Sequence, residues 1–146
     1  VTFAQIEVNA LVFPTSVQHF VEAFGKPDSI LHDMEYGCMR LPEDSIELYR
    51  YRKDQYFAVH SDSGHREVKV NVLNMEKVHG YKVRIHGIAV EPLMTDRQVI
   101  DRFRDLILGN SKDEIYLNLE DDPGIMTLKL LFKRHRLCSI YNECPF

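Results

Sequence analysis

The sequence predicts an α+β fold, in which one strand–helix–antiparallel-meander unit is written twice and packed as a single domain over residues 1–146. Three observations lead there. IEVNALVF (6–13) aligns with VRIHGIAV (83–90), so Ile6, Val8, Leu11 and Phe13 fall on Val83, Ile85, Ile88 and Val90. Helical spacing follows in both places. Val17, Phe20, Val21 and Phe24 share one helix face, as do Val99, Ile100, Phe103, Leu106 and Ile107. Finally, SIELYRYRKDQYFAV (45–59) aligns at constant offset with IMTLKLLFKRHRLCS (125–139), placing Ile46 on Met126, Leu48 on Leu128, Lys53 on Lys133 and Phe57 on Leu137. The repeats run over about 6–60 and 83–140.

Each element has a local reason. The opening strands are followed by Pro14-Thr15 in the first copy and by Pro92 with Thr95 in the second. Thr15 or Ser16 caps the first helix and Thr95 or Asp96 the second, by accepting a hydrogen bond from a free backbone N–H. Gly25 and Gly109 stand where a left-handed residue ends a helix. Short strands are expected near 29–33, 36–41 and 114–119, ahead of the two aligned hairpins. Between the copies, REVKVNVLNM (66–75) alternates Val68, Val70 and Val72 with Lys69 and Asn71, the pattern of a half-buried bridging strand. EKVHG (76–80) is expected to turn that strand back into the second copy, and HSDSGH (60–65) is the one linker-like stretch.

Composition narrows the function classes. A hydrophobic content of 45% and a charged content of 27% describe a globular chain rather than a disordered one. The net charge of −4 argues against a dedicated nucleic-acid binder, which carries a basic surplus. No window approaches the roughly 20 apolar residues that span a bilayer. Cys38, Cys138 and Cys144 are too few for a disulfide scaffold and read as thiols in a reducing cytoplasm, with a Cys138–Cys144 bridge as the alternative. The chain begins at Val1, so a periplasmic location with a trimmed leader stays open beside the cytoplasmic one.

Two charged stretches stand out. Tyr49, Arg50, Tyr51 and Arg52 alternate along one strand, so rings and cations fall on opposite faces, a poor platform for stacked bases. By alignment with Met126, Leu128, Leu130 and Phe132, the Ile46, Leu48, Arg50 and Arg52 face is the core-like one. That leaves either a solvated strand end with the tyrosines packed under a loop, or a partner-binding surface built from residue types common at interface hot spots. The second stretch, KDEIYLNLEDDPG (112–124), crowds Asp113, Glu114, Glu120, Asp121 and Asp122. It lacks calcium-loop spacing and reads as a solvated turn or as an acidic lobe that meets a basic partner. The histidines show no zinc spacing. His60 and His65 with Asp62 make only a weak candidate site. Nucleotide, hydrolase and cofactor motifs are missing, so no cofactor and no metal are expected.

The stretch IEVNALVFPTSVQHFVEAFGKPDSI (6–30) resembles small cytoplasmic proteins grouped with the immunity proteins of polymorphic and contact-delivered bacterial toxins. Its VQHFVEAFGKPDSI portion is also similar to the F-G-x-P turn of the outer-membrane-assembly lipoprotein and β-lactamase-inhibitor group, which is used in tandem but places helices before strands. Together the resemblances imply a protein-binding module, not an enzyme. The expected function is inhibition of a toxin by occlusion, through 113–122 or through the Tyr49–Arg52 strand. The alternative is a small-ligand-binding or enzymatic domain with a pocket between the halves, served by His86 and Tyr116.

Overall fold

The computed structural model describes residues 6–32, 46–60, 66–76, 82–121 and 124–142. The chain is α+β, with two antiparallel sheets and two helices packed together. The small sheet holds two hairpins, β1 (Ile6–Val8) with β2 (Leu11–Phe13) and β8 (Val83–Ile85) with β9 (Ile88–Val90), in the order β2-β1-β8-β9. The large sheet has the path β10-β11-β12-β13-β7-β6-β5-β4. Its strands are β4 (Ser29–Leu31), β5 (Ile46–Tyr51), β6 (Asp54–His60), β7 (Arg66–Asn74), β10 (Ile107–Asn110), β11 (Glu114–Asp121), β12 (Gly124–Lys133) and β13 (Arg136–Asn142). The short β3 (Thr15–Ser16) also joins β7. Among the described residues no helix is long and apolar enough to cross a membrane.

The repeat is present, with a different phase. Both sheet orders are palindromic about a central seam. β1 pairs with β8 through Glu7↔Arg84, and β7 pairs with β13 through Leu73↔Ile140. The same two-fold relates β3, which pairs with β7 through Thr15↔Val68, to the Thr95↔Arg136 bridge on β13. β5 and β6 therefore correspond to β11 and β12, and β7 corresponds to β13. The strand at 66–74 is no bridge between copies; it is the last strand of the first copy. The expected match of 45–59 to 125–139 slips by one strand, because adjacent hairpins in a meander share the same alternation and only the pairing partners tell them apart.

The helices are set by their caps. In α1 (Val17–Phe24) Ser16 Oγ accepts from the His19 N–H, and Gly25 (φ +79) ends the helix with its N–H on the Val21 carbonyl. In α2 (Asp96–Arg102) Thr95 and Gln98 form a reciprocal capping box, which satisfies two orphan donors at once. This helix is shorter than its apolar spacing predicts. A single 3-10 turn covers Arg104–Leu106, and Ile107 and Gly109 belong to β10, so Gly109 is no helix cap. Arg102 reaches from the end of α2 to the Ala89 carbonyl (3.0 Å) and the Glu91 carboxylate, covering the edge of β9.

Both helices and the small sheet pack on one face of the large sheet. In the first half that face is aromatic. Phe20 and Phe24 of α1 meet Phe13, Tyr49, Tyr51 and Tyr56, with ring centroids 4.8 Å apart for Phe20–Tyr56 and 5.0 Å for Phe20–Phe24. In the second half it is aliphatic, with Val99 and Phe103 over Ile115, Leu117, Leu128, Leu130 and Ile140. Phe20 is fully buried at the centre of the aromatic group. Phe20→Ala is expected to cost about 3–5 kcal/mol in urea unfolding, whereas Arg50→Ala on the exposed side of β5 should stay within about 0.5 kcal/mol.

Candidate functional site

The tyrosine–arginine run divides between two environments. Tyr49 is 5% exposed, and its phenol is pushed above the ordinary 10.0 by burial. Tyr51 is half-buried against Phe20 and Phe24, and its hydroxyl donates to the Gly25 carbonyl at 2.8 Å. The core face of β5 is thus the tyrosine face, the reverse of the face expected from the alignment. The cover over the tyrosines is helix α1, not a loop. Both rings pack against α1, Tyr49 fully buried and Tyr51 in part. Arg50 is exposed on the opposite face, and Arg52 occupies the β5–β6 turn with φ +54.

Among the described residues no helix or strand packs on that opposite face of the large sheet. Strand register aligns one residue from each strand into a single row, Tyr116–Lys129–Tyr141–Val72–Gln55–Arg50. All but Arg50 are half-buried, and Arg50 is exposed. The row is tied along its length. Tyr116 donates to the Glu114 carboxylate, Lys129 Nζ lies 5.2 Å from the Tyr141 ring centroid, and Asn71 Nδ2 donates to Gln55 Oε1 at 3.1 Å. A cation over a ring at a surface contributes about 0.5–1 kcal/mol and holds both side chains in place. Beside the row, the shielded Asn118 Oδ1 has no hydrogen-bond partner among the described residues. A neighbouring row, Lys69–Phe57–Leu48–Leu31, adds little accessible surface in its middle, because Phe57 and Leu48 are buried.

The six strands that carry the row span about 24 Å at the usual strand spacing, and the longer of them run about 24–31 Å. That extent is of the order of the roughly 800 Å² each partner contributes to an ordinary protein interface, with Leu48 and Phe57 on the same face buried and adding nothing to it. The residue types also fit, since tyrosine and arginine give large contact area with a polar tip.

The acidic segment is split. Asp113 is exposed in the β10–β11 turn and Glu114 is half-buried at the start of β11. Glu120 and Asp121 are the last residues of β11, about 20 Å from Glu114 at the usual rise per residue. Their side chains, and Asp122 altogether, lie outside the described residues. Carboxylates crowded in sequence are therefore carried at opposite ends of a strand.

The ligand-binding alternative loses its convergence. His86 sits in the β8–β9 turn with φ +54, while Tyr116 lies on the face of the other sheet that is turned away from α1 and α2. A shallow groove of about 500 Å³ does exist where the halves meet on the small sheet, lined by Glu7, Ala10, Lys82, Arg84 and Ala89. Among the described residues no three His, Cys, Asp or Glu side chains group as a metal site. The stretch 61–65, which holds Asp62 and His65, and also Cys38 and Cys144, lie outside the described residues. Cys138 is buried and free.

Lys129 and Tyr141 did not stand out in the sequence. Their signal was the alternation of Thr127 and Lys129 on β12 and of Ser139 and Tyr141 on β13, which puts polar groups on the face away from the core. No family model, curated protein or solved structure matches this chain.

His135 is drawn into a contact of its own. Its Nδ1 lies 2.9 Å from Asp96 Oδ2 at the start of α2. That hydrogen bond, aided by the Arg97 N–H, holds the Asp96 carboxyl below its ordinary 3.8. A folded-state pKa below the unfolded one stabilises above the unfolded value and loses that stabilisation as pH falls through the folded value. The gap in Tm between the native chain and Asp96→Asn should close progressively as the solution is acidified from about one unit above 3.8 down through the folded value, as read by thermal melts across an acid series.

Proposed function

We propose that this chain is a non-enzymatic protein-binding inhibitor of the immunity-protein kind, which occludes a bacterial toxin with the helix-free face of its large sheet. The observation that carries the reading is the row Tyr116–Lys129–Tyr141–Val72–Gln55–Arg50, continuous over six strands and left uncovered by the described elements. Rigid sheet strands hold these side chains, so little ordering entropy is lost on contact. The likeness of residues 6–30 to toxin-immunity proteins points the same way. The reading places the chain in the cytoplasm, where a buried free thiol such as Cys138 persists reduced.

Occlusion by this face makes the row the energetic centre. Tyr141 and Lys129 support each other, so truncating Tyr141 removes both a ring and the seat of a cation. The test is growth rescue. Cells expressing the product of a gene adjacent to this one should survive when the native chain is co-expressed. Tyr141→Ala or Lys129→Glu should weaken binding of that product about tenfold or more, corresponding to at least ~1.4 kcal/mol, with unchanged circular dichroism. Rescue by neither native chain nor variant, with no complex on gel filtration, would end the proposal.

A further inference from the structure

One end of the large sheet gathers basic residues in its turns. There the β5–β6 turn, the end of β7 and the β12–β13 turn come together. Lys53 Nζ and Lys133 Nζ lie 3.8 and 2.9 Å from the two oxygens of Glu76. From the strand order, the two turns are about 14 Å apart. Among the described residues four carboxylates at this end are engaged, while Asp113 in the adjoining β10–β11 turn is exposed and Glu114 accepts the Tyr116 hydroxyl. Glu76 holds both lysines, Asp96 faces His135, Asp28 accepts the Arg52 backbone N–H, and the buried Asp54 accepts the Asn74 N–H at 2.7 Å. The guanidinium groups of Arg50, Arg52 and Arg134 are exposed and form no ion pair among the described residues.

The backbone supplies a second, independent observation. Arg52 (φ +54), Arg134 (φ +51) and His135 (φ +65) are all left-handed, where a side chain is disfavoured and Asn or Gly is the usual choice. Elsewhere such positions are mixed, with Asn9 (φ +52) beside Ala10 (φ +68) in the β1–β2 turn and His86 (φ +54) before Gly87 (φ +77) in the β8–β9 turn. At the tips of the large sheet they hold Arg52 and Arg134, which form no ion pair among the described residues.

We propose that Arg50, Arg52 and Arg134, flanked by Lys53 and Lys133, dock a carboxylate-rich segment of a protein partner. The inference rests on the protein-binding reading and adds the partner's chemistry. A planar guanidinium binds a carboxylate through two parallel hydrogen bonds, and three of them along one rim favour an extended acidic segment over a single ion. An acidic peptide fits better than a nucleic acid. The cationic rim is short, the chain carries a net charge of −4, and the far end of β11 ends in Glu120 and Asp121. The nearby rings of Tyr49 and Tyr51 are packed beneath α1 and offer no stacking surface.

The test uses the full chain and a double variant, Arg52→Asn with Arg134→Asn. Asparagine suits the left-handed turn positions, so this variant should melt at a temperature equal to or above that of the native chain. Fluorescence anisotropy with a labelled polyglutamate peptide should show binding by the native chain that weakens with added salt. The double variant should bind about tenfold or more weakly. Undiminished peptide binding by the stable double variant overturns the proposal, as does absence of binding by the native chain. Tighter binding of a single-stranded DNA oligonucleotide than of the peptide overturns it in favour of a nucleic-acid ligand. Growth rescue separates the two readings. If rescue survives Arg52→Asn/Arg134→Asn but not Tyr141→Ala, the sheet face is the site and the rim is not. If peptide binding depends on the arginines and no rescue occurs at all, the inhibitor reading falls alone.

Discussion

Everything in this fold depends on the seam where β7 meets β13. Each half ends in a strand whose outer edge carries unpaired N–H and C=O groups, an open invitation to aggregation. Ser139, Ile140 and Tyr141 close that edge on Asn74, Leu73 and Val72, and the Met75 N–H on the Cys138 carbonyl extends the ladder. Leu73 and Ile140 then lie side by side at the floor of one continuous core. The small sheet repeats the solution through β1 and β8. Two edges are removed at each level, and the palindromic strand order follows from that pairing rather than from any single motif.

A two-fold seam leaves each half free to fill its interior differently. The first half stacks rings, Phe13, Phe20, Phe24, Tyr49, Tyr51 and Tyr56, beneath a helix capped by glycine. The second half uses aliphatic side chains beneath a shorter helix that opens with a capping box. Volume is what a core must conserve, and both solutions supply it. The rings draw in the tyrosines of the Tyr49–Arg52 run, Tyr49 fully and Tyr51 in part, which leaves its arginines as the exposed members.

The repeat was legible in the sequence because matched apolar spacing recurs in 6–24 and 83–107 with a hydroxyl cap between strand and helix. The phase of the meander was not. Alternation has a period of two, so IELYRY fits MTLKLL or IYLNLE equally well, and only long-range pairing decides. The same degeneracy hid which face of β5 is buried. Helix length was overread at α2, where Phe103 keeps its core position although the helix ends at Arg102, because a 3-10 turn carries the apolar pattern onward. The row through Tyr116, Lys129 and Tyr141 could not be seen at all before register was known, since its members come from strands separated by a dozen residues or more.

Symmetry in the backbone makes the asymmetry in charge informative. The two-fold relates the β5–β6 turn to the β11–β12 connection, and these lie at opposite ends of the large sheet. The first is written Arg52-Lys53; the second is preceded by Glu120 and Asp121. An unmarked duplication would place like charges at both ends and give a partner two equivalent ways to dock, differing by a half turn. Opposite charges make one orientation attractive and the reversed one repulsive, and like-charge juxtaposition is a strong means of rejecting a wrong pose. The aromatic and amide groups of the central row carry no such direction. On the proposed reading, contact area on the sheet would supply affinity and the polarity at its ends would supply orientation.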